Sequence, residues 1–159
     1  MEIIRISYIY GDATAPIGHD NRIIVHICND IGGWGKGFVT AVSKRWKEPE
    51  NAYRNWFKEQ TGFELGAVQF VQVAENLWVA NLIGQHKIYN DPSGLPPIRY
   101  DAVQVGLEKI SAFALKNKAS VHMPRIGCGL AGGTWDKMEV IIHETLTSNG
   151  IKVTVYDFG

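Results

Sequence analysis

The run R-I-I-V-H-I-C at residues 22–28 constrains this chain more than any other stretch. It is a near-continuous series of β-branched residues, the pattern of a strand buried on both faces. A strand of that kind sits in a sheet covered by helices on two sides, and the rest of the chain alternates accordingly. Further strand-like runs lie at 2–10, 67–73, 77–83, 119–123 and 151–156, with Ala74-Glu75-Asn76 reading as a hairpin turn between the third and fourth strands. Helical spacing appears in 38–46, which Pro49 should stop, and in about 50–60, where Tyr53, Trp56 and Phe57 read as core. It appears again in 100–116, through Val103, Leu107, Ile110 and Ala114, and in 135–146, with Gly150 as its cap. The expected fold is one α/β domain over residues 1–159, a three-layer α/β/α arrangement around a mixed sheet. The polar, Pro-broken stretch 87–98 is expected as a loop forming a rim or lid.

Two glycine clusters interrupt this pattern, each between a strand and a helix. The first is Asn29-Asp30-Ile31-Gly32-Gly33-Trp34-Gly35-Lys36-Gly37, and the second runs M-P-R-I-G-C-G-L-A-G-G-T-W over 123–135. Backbone N–H groups and a helix dipole at such junctions can hold an anion, and glycine lets a ligand approach the main chain closely. Two phosphate-type loops point to a diphosphate. Asn29 and Asp30 stand where α/β sheets collect ligands, at the carboxyl end of a strand, although Asn29 could equally cap the following turn. Asp12, in the turn Gly11-Asp12-Ala13-Thr14 after the first strand, reads locally as a turn residue.

Composition narrows the partners. The chain has 16 Lys plus Arg against 16 Asp plus Glu, so no basic excess favours nucleic acid. No apolar run reaches the roughly 18 residues of a membrane span, and no secretory signal is apparent, so a cytoplasmic location is expected. Cys28 and Cys128 fall in the two glycine regions, are expected as reduced thiols, and could be neighbours in space. His19, His26, His122 and His143 lack metal-ligand spacing, so no metal is expected, and His26 and His122 read as satisfied core residues.

The Gly11-Asp12-Ala13 turn, the I-V-H-I-C-N strand entering a glycine loop, and the late P-R-I-G-C-G-L-A-G-G-T-W loop together resemble a macrodomain, over essentially the whole chain. The late loop and compact length are most similar to the branch that includes ADP-ribosyl-ester hydrolases and an ADP-ribose 1″-phosphate phosphatase. The resemblance implies a six-stranded mixed sheet, ADP-ribose or an ADP-ribosylated substrate as ligand, and no cofactor. It implies Asp12 as acceptor of the adenine amino group with Ala13 helping through its backbone, and Asn29 at the distal ribose. It places Gly35, Lys36 and Gly37 beside the diphosphate and that ribose. The main diphosphate loop becomes Ile126, Gly127, Cys128, Gly129, Leu130, Ala131 and Gly132, with Phe158 completing the site.

Hydrolases of that branch working through a lysine and an aspartate would have the aspartate at the position of Ala131 and the lysine near Gln85 or His86. Ala131 is not an aspartate and neither Gln85 nor His86 is a lysine, which argues against a covalent lysine route. Asn29, Asp30 and His86 remain as catalytic candidates, Asp30 or His86 activating a water and Asn29 holding the ribose hydroxyls. The expected function is binding of ADP-ribose or a derivative, with hydrolysis of an ADP-ribosyl ester or of ADP-ribose 1″-phosphate. A non-catalytic ADP-ribose reader is the alternative. A mononucleotide-binding α/β domain fits less well, because no G-x-x-x-x-G-K-[ST] follows the first strand.

Overall fold

A computed structural model describes residues 4–158. Its core is one six-stranded sheet built from β1 (Ser7–Tyr10), β2 (Arg22–Asn29), β3 (Val68–Ala74), β4 (Leu77–Gln85), β5 (Ser120–Met123) and β6 (Val153–Asp157). The spatial order is β1-β6-β5-β2-β4-β3, and every pairing is parallel except the β3–β4 hairpin. Four α-helices cover it: α1 (Phe38–Arg45), α2 (Glu48–Glu59), α3 (Tyr100–Asn117) and α4 (Trp135–Thr145). The three-layer, mixed-sheet expectation therefore holds.

The double burial of β2 follows from alternation of its side chains. Ile23 and Val25 pack with α3 residues Val103, Leu107 and Ile110 and α4 residues Met138 and Ile142, all buried. Ile24 and Cys28 point the other way, toward Val39 and Val42 of α1 and Tyr53 of α2. Cys28 and Cys128 thus belong to different clusters on opposite sheet faces, since Cys128 packs against the α3–α4 side; the two cysteines are free and are not neighbours.

Most element bounds move by a residue or two, and three differences have a local physical reason or limit. β1 begins at Ser7, and residues 2 and 3 of the expected strand lie outside the described residues. Pro49 does not stop α1, which ends at Arg45 with Trp46 extended; it sits in the first turn of α2, where its missing N–H costs nothing. Gly150, left-handed at φ 76°, closes a short 3-10 turn, Thr147–Asn149, that follows α4. Both strand histidines are satisfied in the core: His26 Nε2 lies 2.6 Å from Asn81 Oδ1, and His122 lies between Ser120 Oγ at 2.8 Å and the Tyr156 hydroxyl at 2.7 Å.

Candidate active site

Because β1, β2, β4, β5 and β6 are mutually parallel, their carboxyl ends share one edge of the sheet. Both glycine loops rise from that edge, one after β2 and one after β5. Between them runs a cleft of two adjoining hollows, of about 200 and 400 Å³, which share Ile27, Lys36, Val39, Gln85 and Leu130 as walls.

Asn29 builds the first loop. Its Oδ1 accepts from the N–H of Ile31 at 3.0 Å and of Gly33 at 2.9 Å, while its Nδ2 donates to the Gly33 carbonyl at 2.8 Å. The Tyr53 hydroxyl comes up from α2 to within 2.6 Å of the Asn29 carbonyl and 2.9 Å of its Oδ1. The side-chain oxygen is therefore consumed by the loop, and one amide hydrogen is left for a ligand. Gly37, at φ 86° and ψ −148°, turns the chain into α1 in a conformation that favours glycine. The N–H groups of Gly35, Lys36 and Gly37 have no hydrogen-bond partner among the described residues.

The second loop folds on itself. The Gly133 N–H donates to the Gly127 carbonyl at 2.8 Å and the Gly132 N–H to the Gly129 carbonyl at 3.0 Å. Ile126 and Ala131 are buried and anchor the loop in the core. The N–H groups of Gly129, Leu130 and Ala131 again have no partner among the described residues. Two arrays of free N–H groups thus belong to residues lining one cleft, and among the described residues the cleft lining contains no Asp or Glu. That combination suits an extended polyanion held by fixed dipoles without a bound cation.

Of the expected residues, the cleft gathers Asn29, Gly35, Lys36, Gly37, Ile126, Gly127, Gly129, Leu130 and Ala131. Asp12, Ala13, Asp30, His86, Cys128, Gly132 and Phe158 do not line it. Asp12 sits past the end of β1, with Oδ1 accepting from the Thr14 N–H at 2.8 Å and Oγ1 at 2.7 Å and Oδ2 facing Arg45 Nη2 at 3.3 Å. Burial raises its carboxyl pKa, but the hydrogen bonds from Thr14 and Arg45 outweigh that and hold it below the usual value. Phe158 is 82% exposed beyond β6. Asp30 and His86 meet each other around the corner of β4: Asp30 Oδ2 lies 2.6 Å from His86 Nδ1, and Asp30 Oδ1 accepts the Lys87 N–H at 2.8 Å. His86 lines a separate hollow of about 280 Å³ together with Lys87, Tyr89 and Arg99.

Arg125 lines the cleft without having been expected there. Its guanidinium forms a bidentate pair with Asp157, at 2.7 and 3.0 Å, and lies 5.2 and 5.1 Å from the ring centroids of Tyr8 and Trp135. The pairing with Asp157 raises the Arg125 pKa and lowers that of Asp157. No pattern in the local sequence foretells this, because Tyr8, Trp135 and Asp157 converge from three distant segments. Among the described residues there is no group of three or more His, Cys, Asp or Glu placed to hold a metal.

No family model matches the chain. A solved structure of a protein of unknown function from Bacteroides thetaiotaomicron is 64% identical, with a TM-score of 0.97 over 98% of this chain and 99% of that one. Human ADP-ribose glycohydrolase OARD1 is 26% identical over 96% of this chain and 91% of its own length. Mouse chromodomain-helicase-DNA-binding protein 1-like is 34% identical over 99% of this chain, but the chain spans only 18% of that protein's length. A macrodomain protein from Streptomyces coelicolor is 54% identical, with a TM-score of 0.86 over 98% of this chain and 100% of that one. With more than half its residues identical to that protein's over nearly the whole of both chains, the chain belongs to the macrodomain family.

Proposed function

We propose that the cleft binds ADP-ribose or a derivative of it, with the diphosphate between the two glycine loops. The observation that carries this reading is the pair of free N–H arrays, one from each glycine loop, on residues lining a cleft that has Lys36 and Arg125 and, among the described residues, no carboxylate. A dianion there replaces its hydration with fixed backbone dipoles, so a chain of zero net charge suffices. In this reading Asp12 takes the adenine amino group through Oδ2, since Oδ1 is spent on Thr14, and Phe158 covers the base. Asn29 acts on the distal ribose mainly by shaping the loop, with its remaining amide hydrogen as a direct contact. Calorimetry with ADP-ribose, ADP and AMP tests the assignment: affinity should fall steeply when the diphosphate is lost. Equal affinity for AMP and ADP-ribose would remove the diphosphate from the cleft.

A second reading adds hydrolysis of an ADP-ribosyl ester or of ADP-ribose 1″-phosphate. The contact between Asp30 and His86 favours it, because a carboxylate on Nδ1 fixes the imidazole so that Nε2 can take a proton from water. The similarity to a protein named as an ADP-ribose glycohydrolase supports the same reaction class. Ala131, buried where a lysine-dependent route needs an aspartate, favours direct attack by water. Incubation with an ester-linked ADP-ribosylated protein, followed by detection of released ADP-ribose, separates this reading from a non-catalytic reader.

A further inference from the structure

The loop between β1 and β2, residues 11–21, starts with Asp12 past the end of β1 and crosses one face of β6 and β5, with Ile17 against Tyr156 and Asp20 against Ser120. A line of hydrogen bonds holds it there. The Ile17 N–H donates to the Tyr156 hydroxyl at 3.0 Å, the Tyr156 hydroxyl lies 2.7 Å from His122 Nδ1, His122 Nε2 lies 2.8 Å from Ser120 Oγ, and Ser120 Oγ lies 2.9 Å from Asp20 Oδ2. Tyr156, His122 and Ser120 are all buried.

Only one placement of the protons leaves no member unpaired. Asp20, as a carboxylate, can only accept, so Ser120 Oγ–H points to it. Ser120 must then accept from His122 Nε2–H, which leaves Nδ1 bare to accept the Tyr156 O–H, while the tyrosine oxygen accepts from Ile17. The reverse order would put Ser120 Oγ against Asp20 with no hydrogen between them and leave the Tyr156 proton without an acceptor. His122 is consequently a neutral hub with one fixed tautomer, and burial keeps it so by driving its pKa down to about 4. Because the Ser120 proton goes to Asp20, the serine and histidine do not form a nucleophile and base.

We propose that Tyr156 and His122 are positioning residues for the adenine end of the site, fixing the loop that presents Asp12. This rests on the reading above, in which Asp12 receives the adenine amino group. The mechanical link is short. The Tyr156 ring lies against Gly11, where an added Cβ would stand 3.5 Å from Cδ2, and the Gly11 N–H is tied to the Asp157 carbonyl at 3.0 Å. The far end of the loop has an independent tie, since Arg22 donates to the Asp20 carbonyl at 3.0 Å, and the same guanidinium reaches the Pro16 carbonyl in mid-loop at 2.9 Å. Loss of the Tyr156 hydroxyl should therefore matter more than loss of the Ser120 hydroxyl.

The test compares ADP-ribose with inosine diphosphate ribose, which lacks the amino group, by calorimetry on the wild type, Tyr156→Phe and Ser120→Ala. Tyr156→Phe should weaken ADP-ribose about tenfold, the loss of one hydrogen bond, and leave the inosine analogue nearly unchanged. Ser120→Ala should shift the same ratio by about threefold or less. A general loss of structure would weaken both ligands alike, so the ratio, checked beside the melting temperature, isolates positioning. If Tyr156→Phe is too unstable to measure, His122→Gln carries the same ratio. Wild-type discrimination that persists in Tyr156→Phe or, where that variant cannot be measured, in His122→Gln, or equal weakening of both ligands there, overturns the inference alone. A wild type that binds neither ligand overturns the functional reading as well.

Discussion

Asp30 grips two successive residues of the segment after β4, taking His86 Nδ1 on Oδ2 at 2.6 Å and the Lys87 N–H on Oδ1 at 2.8 Å. Lys87 is left-handed at φ 60°, a costly conformation for a lysine, and the Asp30 bond with a 2.9 Å bond from Gln85 Nε2 to the Lys87 carbonyl holds it. The two residues therefore form one unit, whereas the sequence offered them as rival bases.

Turnover by this pair has a specific signature. His86→Ala and Asp30→Asn should each lower the rate of ADP-ribose release from an ADP-ribosyl ester by about 10²–10⁴, and the double variant should be little worse than either. Additive losses would mean independent roles. Full activity in His86→Ala would exclude the dyad from the chemistry, in keeping with its place outside the main cleft.

Asp12 can be probed without dismantling its turn. Asp12→Asn keeps an Oδ1 acceptor for Thr14 but weakens the Arg45 pair and the acceptor offered to a ligand, so ADP-ribose affinity should fall by about 1–3 kcal/mol. An unchanged dissociation constant would place adenine elsewhere.

The two glycines of the second loop should behave oppositely. A Cβ on Gly129 meets nothing within 4 Å, so Gly129→Val should fold normally and block the cleft that Gly129 lines. Gly132 is at φ 79°, and its Cβ would stand 2.7 Å from Pro96 Cβ, so Gly132→Val should lower the melting temperature before it says anything about binding. Normal ADP-ribose binding by a folded Gly129→Val would refute the diphosphate assignment of this loop.

Acid should destabilise the fold through two buried histidines. Burial lowers both His26 and His122 from 6.5 to about 4, so each stays neutral in the native state while the unfolded chain takes up a proton near pH 6.5. Their contribution is complete above pH 6.5 and is lost as the pH falls from about 6.5 through about 4. Urea midpoints measured at pH 7.5, 6, 5 and 4.5 should decline over this window, more shallowly in His122→Gln. A flat profile would contradict the buried, neutral assignment.

What the sequence by itself determined was periodicity and local chemistry. The double burial of β2, the stripe Val103-Leu107-Ile110-Ala114, the β3–β4 hairpin and the two glycine loops at strand ends are properties of contiguous residues, and each is found as expected. Side-chain partnership was decided only in three dimensions. Asn29 looked like a ligand residue and spends its oxygen on Ile31 and Gly33; Arg125 looked unremarkable and lines the cleft beside Tyr8, Trp135 and Asp157. Asp30 and His86 lie one residue beyond the β2–β4 partners Asn29 and Gln85, so their contact depends on that parallel register, with its irregularity between Cys28 and Asn29. A hydrogen bond spanning 56 positions leaves no periodic trace in a chain, because it is set by strand order and register rather than by any local propensity.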